Sequence, residues 1–220
     1  MPPARPLAVL LDLDGTIVDT VPLILASMRH AFDGRRRAPD DGQWVAGMGM
    51  PLRVQLAYWA EDGADLELLV ARYRDFQGGH QDAMTRAYDG AVAAVAALKA
   101  RGHPLAVVTG KLAGMAARTL AQVGLDGVVD ALVGSDSCPH HKPHPEPVLL
   151  ALERLGRPPA EGLFVGDSVV DVQAGHAAGV TTVAALWGAT AGEVLLAQSP
   201  HHALRDVREL PALVERLAKP

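Results

Sequence analysis

The chain runs Leu7-Ala8-Val9-Leu10-Leu11 and then Asp12-Leu13-Asp14-Gly15-Thr16-Ile17-Val18-Asp19-Thr20, an apolar segment followed at once by an acid-rich turn. Five consecutive apolar residues suit a buried strand, and Gly15 lets the chain leave it sharply. Carboxylates at i and i+2 point to opposite faces within a regular strand. At the end of the strand, where the chain turns, Asp12 and Asp14 can converge on one ligand. Open α/β sheets gather ligands outside the carboxyl ends of their strands. Two acids at that edge invite a cation, because neighbouring like charges are unfavourable unless a metal or a proton intervenes.

Three later segments repeat the arrangement. Leu105-Ala106-Val107-Val108 ends in Thr109-Gly110-Lys111. The run Val128 to Val133 leads through Gly134-Ser135-Asp136 to His141-Lys142-Pro143. Leu163-Phe164-Val165 ends in Gly166-Asp167-Ser168, with Asp171 four residues after Asp167. Acid, hydroxyl, lysine and acid pair all fall at or just beyond strand ends, and a parallel sheet brings such ends to one edge.

In that order, Asp12-Leu13-Asp14-Gly15-Thr16, Thr109, Lys142-Pro143 and Gly166-Asp167 with Asp171 resemble the motifs of the haloacid dehalogenase superfamily of phosphohydrolases. Within it, Asp19-Thr20, Met50-Pro51-Leu52-Arg53, Lys142-Pro143-His144-Pro145-Glu146-Pro147 and Val165-Gly166-Asp167-Ser168 are most similar to the phosphoglycolate phosphatase and pyrophosphatase group. The resemblance covers nearly the whole length. It is specific for chemistry and weak for substrate.

The resemblance implies that Asp12 is a nucleophile that takes a phosphoryl group as an aspartyl phosphate, dividing one hard displacement into two easier ones. It makes Asp14 the acid towards the leaving oxygen and then the base for water, while its main-chain carbonyl joins the metal ligands. Asp167 resembles the principal metal carboxylate beside Asp12, and Asp171 an outer metal ligand or a group that orients the lysine. Hard oxygen ligands describe Mg2+ better than zinc. Thr109 would donate its hydroxyl to a phosphoryl oxygen, helped by the amide of Gly110. Lys142 is the expected phosphate lysine, a compact charge among crowded anions that the Pro143-His144-Pro145 segment should deliver by an extended approach. Thr16 and Lys111 complete the expected substrate-binding set. Lys111 belongs to no Walker A loop, because Leu105 and Leu112 stand where that motif needs Gly and Ser or Thr. The second acid of the Asp-x-Asp pair argues against dehalogenation.

Composition agrees. The 220 residues leave room for a core domain and a small insertion, and 49% are apolar. A net charge of −5 gives no electrostatic case for nucleic acid or an anionic membrane. No apolar stretch approaches the roughly 20 residues of a membrane span. The Met1 to Pro6 segment has no separate signal-type apolar region, since Leu7 to Leu11 is needed as a strand. The single cysteine, Cys138, excludes an internal disulfide and suits the cytoplasm.

From about Gly90, strand-like runs alternate with helical candidates at Ala91–Arg101, Leu112–Val123, Pro145–Leu155, Val169–Ala178 and Val207–Ala218, the pattern of a doubly wound parallel sheet. Residues 21–86 instead show helical stretches at Val21–Phe32, Pro51–Glu61 and Asp65–Met84, with Leu66, Leu69, Val70 and Tyr73 at the spacing of one buried face. The expected architecture is therefore a Rossmann-like α/β core of residues 1–19 and 87–220 with an all-helical cap of 20–86, placed where caps exclude water from reacting groups.

In that cap Arg53 is the candidate for the remote end of the substrate, since a guanidinium grips a carboxylate or phosphate by two parallel bonds; a solvent-facing helix arginine is the alternative. Cys138, His140, His141 and His144 match no zinc-finger spacing and are expected to border the mouth of the site. The expected partner is a small phosphorylated metabolite, phosphoglycolate or pyrophosphate by resemblance, acted on by a monomer or homodimer. A β-phosphoglucomutase-like mutase is disfavoured because Val21-Pro22-Leu23 replaces the histidine usual after Asp-Thr. A catalytically idle binding protein is disfavoured by the intact Asp12, Asp14, Lys142 and Asp167.

Overall fold

The computed structural model describes residues 6–219, so most of the segment expected to carry no leader lies outside the described residues. The chain opens with strand β1 (Ala8–Leu11) and the short β2 (Val18–Asp19). Four helices follow: α1 (Val21–Ala31), α2 (Asp41–Val45), α3 (Leu52–Ala57) and α4 (Gly63–Met84). After β3 (Arg86–Ala87), strand and helix alternate through α5 (Ala91–Ala100), β4 (Leu105–Val108), α6 (Ala113–Gln122), β5 (Ala131–Val133), α7 (Glu146–Arg154) and β6 (Gly162–Gly166). The chain ends with α8 (Val169–Ala178), β7 (Thr181–Ala185), α9 (Gly192–Leu196), β8 (His202–Leu204) and α10 (Leu210–Leu217).

Six strands form one sheet in the order β5-β4-β1-β6-β7-β8, with parallel pairing throughout. β1 is first in sequence and central in space. The chain builds outward through β4 and β5, then returns to build through β6, β7 and β8. That reversal opens a crevice at the carboxyl end of β1. Leu11 pairs with Val107 on one side and Val165 on the other, so Asp12 emerges level with Val108 and Gly166.

The parallel arrangement follows from strands β1, β4 and β6 being buried at every residue, which only a sheet covered on both faces can satisfy. Their side chains alternate between two cores. Val9, Leu11, Val107 and Val165 pack with α5, α6 and α10, whereas Leu10, Ala106, Val108 and Phe164 pack with α7 and α8.

Helices α1 to α4 enclose a separate core around Met28, Phe32, Trp44, Leu56, Leu69 and Tyr73. The stripe seen in the sequence is its floor: Leu69, Val70 and Tyr73 are buried and Leu66 partly so. Helix α2 had no sequence signal beyond its Asp40–Gln43 capping box, because five residues carry too little periodicity. The Pro51–Glu61 stretch contracts to α3, since Asp62 already caps α4 and the chain must reverse before it. β2 and β3 pair antiparallel, Val18 with Ala87 and Asp19 with Arg86, where the chain crosses between sheet and helices. Helix α10 starts at Leu210 rather than Val207 because Asp206 caps a 3-10 turn over Val207–Glu209 first.

Leu10 is fully buried and Leu149 is 40% exposed. Leu10→Ala is expected to cost about 2–5 kcal/mol and Leu149→Ala less than about 1 kcal/mol, read from the midpoints of denaturant unfolding.

Candidate active site

Asp12 leaves β1 with its amide still bonded to the Val165 carbonyl (2.9 Å), which fixes where its carboxylate emerges. Lys142 meets it from the loop after β5. The ammonium has three protons and places all three: on Asp12 Oδ1 (2.9 Å), on Asp171 Oδ1 (2.6 Å) and on the Val108 carbonyl (3.2 Å). It also lies 5.6 Å from the centre of the Phe164 ring. The loop reaches this position as a tight turn, closed by the His144 amide on the His141 carbonyl, with a cis Lys142–Pro143 peptide. The extended approach expected from its prolines is thereby corrected: an extended chain would pass along the sheet edge instead of turning the lysine inward.

Asp171 lies one helical turn into α8 and accepts from the Ser168 amide (3.0 Å) and hydroxyl (2.5 Å) through its other oxygen. Of the two roles anticipated for Asp171, its contacts are those of the lysine orienter. Asp167, the last residue before the Ser168 cap of α8, accepts from the Thr16 hydroxyl (2.8 Å) and from the Ala189 amide (2.9 Å). Thr16, expected among the substrate contacts, is 1% exposed and spends its hydroxyl on Asp167, so it positions that carboxylate. Trp187 secures the same turn by donating to the Thr16 carbonyl (3.0 Å). Gly15 is obligatory here. Its φ is +85°, and an added Cβ would stand 2.2 Å from Asp167 Oδ2.

Asp14 faces the cavity above Asp12. Its Oδ1 accepts from the Thr20 hydroxyl (2.6 Å) and the Lys111 ammonium (2.7 Å). Lys111 therefore enters the site as the partner of Asp14. Thr109 and Gly110 line the same cavity, and Thr109 Oγ1 accepts from the Lys111 amide (3.2 Å).

The cap rests on these loops by main-chain contact. A Cβ on Gly110 would lie 2.8 Å from the Gly49 carbonyl, and one on Gly49 would lie 2.6 Å from the Ser168 hydroxyl. Between cap and sheet lies a cavity of about 260 Å3, floored by Asp12 and Asp14 and roofed largely by apolar cap side chains such as Ile24, Met48 and Leu52. Arg53 lines it, but its guanidinium is paired with Glu67 on the exposed surface (2.9 Å through Nη1). His141 borders the cavity, whereas His140 and His144 stack on each other at the surface, where His140 also bonds Glu146 (2.6 Å). Of the expected histidine patch, only His141 thus reaches the cavity among the described residues.

Electrostatics decides what this floor can hold. Asp12, Asp167 and Asp171 each offer an oxygen within 4.8 Å of the others, all three are buried, and one lysine stands against them. Burial pushes the Asp12 carboxyl well above its ordinary range; Lys142 opposes this, and Asp171 and Asp167 reinforce it. Burial, followed by Asp171, raises Asp167 to about 7. Burial alone would lower Lys142, yet Asp12 and Asp171 raise it, so it stays charged. Three carboxylates with one ammonium lack positive charge, and their oxygens suit a hard divalent cation. Asp12, Asp167 and Asp171 are together the group that could hold it; Asp171 also bonds Lys142 and Ser168, and Asp167 also bonds Thr16 and Ala189.

The raised Asp167 carboxyl has a consequence for stability. Its unfolded value is near 3.8 and its folded value about 7, so the folded chain binds the extra proton and loses stability as pH rises through that window. Without a divalent cation, the thermal midpoint is expected to be lower at pH 8 than at pH 6. Added Mg2+ should narrow that gap, and Asp167→Asn should shrink it without metal. Melting curves in chelator at the two pH values, with equal midpoints for both chains, would discount the assignment.

The haloacid dehalogenase-like hydrolase family pattern matches residues 9–185. Pyrophosphatase PpaX of Bacillus velezensis is 34% identical over 94% of this chain and 95% of its own length. A phosphoglycolate phosphatase of Xylella fastidiosa is 33% identical over 84% of this chain and 82% of its own. The crystal structure of a hydrolase from Pseudomonas syringae superposes with a TM-score of 0.87 at 22% identity, covering 97% of this chain and all of that one, and thus shares the fold. Family match, relatives and fold agree with the acid-lined crevice at the end of β1: this chain belongs to the haloacid dehalogenase-like hydrolases.

Proposed function

We propose that this protein is a Mg2+-dependent phosphatase that hydrolyses a small phosphorylated metabolite through an aspartyl phosphate on Asp12. The observation that carries the reading is the Lys142 ammonium, which holds Asp12 at the mouth of the crevice while Asp167 stands beside it. The names of the relatives suggest phosphoglycolate or pyrophosphate as substrate.

In the first step an Asp12 carboxylate oxygen attacks phosphorus and the bond to the leaving oxygen breaks. Asp14, held towards the cavity by Thr20 and Lys111, gives that oxygen a proton. In the second step Asp14 takes a proton from water as the water attacks phosphorus, and Asp12 is restored as inorganic phosphate departs. Lys142 and the Thr109 hydroxyl stabilise charge on the phosphoryl oxygens, Lys142 from a fixed position, because its three bonds leave it no other geometry. Asp12 and Asp167 would hold the cation, which when bound would screen the carboxylate charge from the phosphate. The cap, seated on Gly110, keeps bulk water out during the first step.

Phosphate release with Mg2+ should fall about a thousandfold or more in Asp12→Asn, and rapid acid quenching should trap phosphate on the wild-type chain only. Asp14→Asn should lose about 100- to 10,000-fold in the first-turnover release of the leaving group from an alkyl phosphate and far less in that from p-nitrophenyl phosphate, whose leaving group needs no proton, while steady-state turnover of both falls because water has lost its base. No release from any phosphorylated compound by the wild-type chain would leave the idle-protein reading standing.

A further inference from the structure

The residues above account for the phosphoryl group and leave the roof of the cavity unexplained. Gln77 projects from α4 into the cavity, is 5% exposed, and makes no hydrogen bond among the described residues. A carboxamide carries two donors and an acceptor, and burying it unpaired is unfavourable, so interior amides are almost always satisfied. The neighbouring buried glutamines are: Gln81 donates to the Thr119 hydroxyl (3.1 Å) and Gln55 to the Trp44 carbonyl (2.5 Å). Gln77 is not sealed among apolar side chains either, since its amide remains accessible from the cavity.

Arg74 lies three residues earlier on α4, on the same stripe, and also lines the cavity. It is exposed at the rim and forms no ion pair among the described residues, although Glu67 attracts it. Arg53, the cation singled out from the sequence, is occupied by Glu67. At the cavity, Arg74 and the Gln77 amide thus make no hydrogen bond among the described residues, and Asp14 lines the same cavity.

We propose that Gln77 and Arg74 form the subsite for the leaving group and select one that ends in an oxyanion. The Gln77 amide protons reach its inner oxygen and the Arg74 guanidinium its outer one. A carboxylate and a second phosphate share this chemistry. The subsite rests on the phosphatase reading, because the scissile phosphoryl group on Asp12 sets the orientation of the rest of the substrate.

The test compares 2-phosphoglycolate, pyrophosphate and ethyl phosphate, the last matching phosphoglycolate in length without a second anion. In wild type, kcat/KM should favour one of the two compounds with a second anionic group over ethyl phosphate, and the favoured one tells carboxylate from phosphate. Gln77→Leu and Arg74→Gln should each reduce that preference about 10- to 100-fold, chiefly through KM. Equal losses on all three compounds, or an unchanged preference, overturn the subsite while leaving the phosphatase reading intact. If no compound is turned over, that reading fails by itself. Calorimetric binding of 2-phosphoglycolate against ethyl phosphate then still reads the subsite, with the same fold-change expected in the ratio of Kd values. Gln77→Glu, which keeps size and shape, is the second variant should Gln77→Leu not fold, and it should repel the oxyanion to at least the same extent.

Discussion

A buried ammonium surrounded by more acid than it can neutralise is the constraint from which the rest of the molecule follows. Lys142 joins four separately built elements: the end of β1 through Asp12, the end of β4 through Val108, the first turn of α8 through Asp171, and its own loop after β5. Removing one partner from a buried pair costs about 3–5 kcal/mol, because the other charge is stranded. The lysine is therefore a structural tie as well as the counter-charge of Asp12. The negative charge it leaves uncompensated suits the floor to a hard dication.

The two lysines of the site differ in freedom. Lys142 has every proton placed and cannot follow a substrate. Lys111 makes a single side-chain bond, to Asp14, from a position lining the cavity. A charge with one partner can be shared with an incoming anion at little cost, whereas one with three cannot. Positioning thus falls to Lys142 and adaptation to Lys111, so Asp14, and not Asp12, feels what enters the cavity.

What the sequence made legible was whatever had to be local. Strands β1, β4 and β6 are unbroken apolar runs, and the residues that follow each run are forced to one edge by parallel pairing; Asp12, Thr109 and Asp167 were visible for that reason. The cap stripe showed because a 22-residue helix samples its period many times. The two-residue ribbon of β2 and β3 and the five-residue α2 offer no period to detect. Thr16 was placed one layer too far out, since a hydroxyl two residues from an acid fits a substrate as well as a neighbouring carboxylate. The sequence pointed to Arg53 and passed over Arg74, because the pairing of Arg53 with Glu67 joins separate helices and leaves no local signal. Gln77 had no signal at all, because an unpaired amide is defined by what is missing around it.

Floor and roof are also separate in the chain. The floor is assembled from strand ends spread between Asp12 and Asp171, so changing either of these two disturbs the shared lysine. The roof comes from one contiguous segment with its own core, and it touches the floor loops through glycine main chain at Gly49 and Gly110. Side chains facing the cavity from α4 can therefore vary without moving the nucleophile. An unpaired buried amide costs roughly 1–3 kcal/mol. The Gln77 amide is open to the cavity, so what pairs it is whatever the cavity holds. On the proposed subsite, the contact that selects the leaving group would also hold α4 over Asp12 and Asp14, so that discrimination and water exclusion would be a single event.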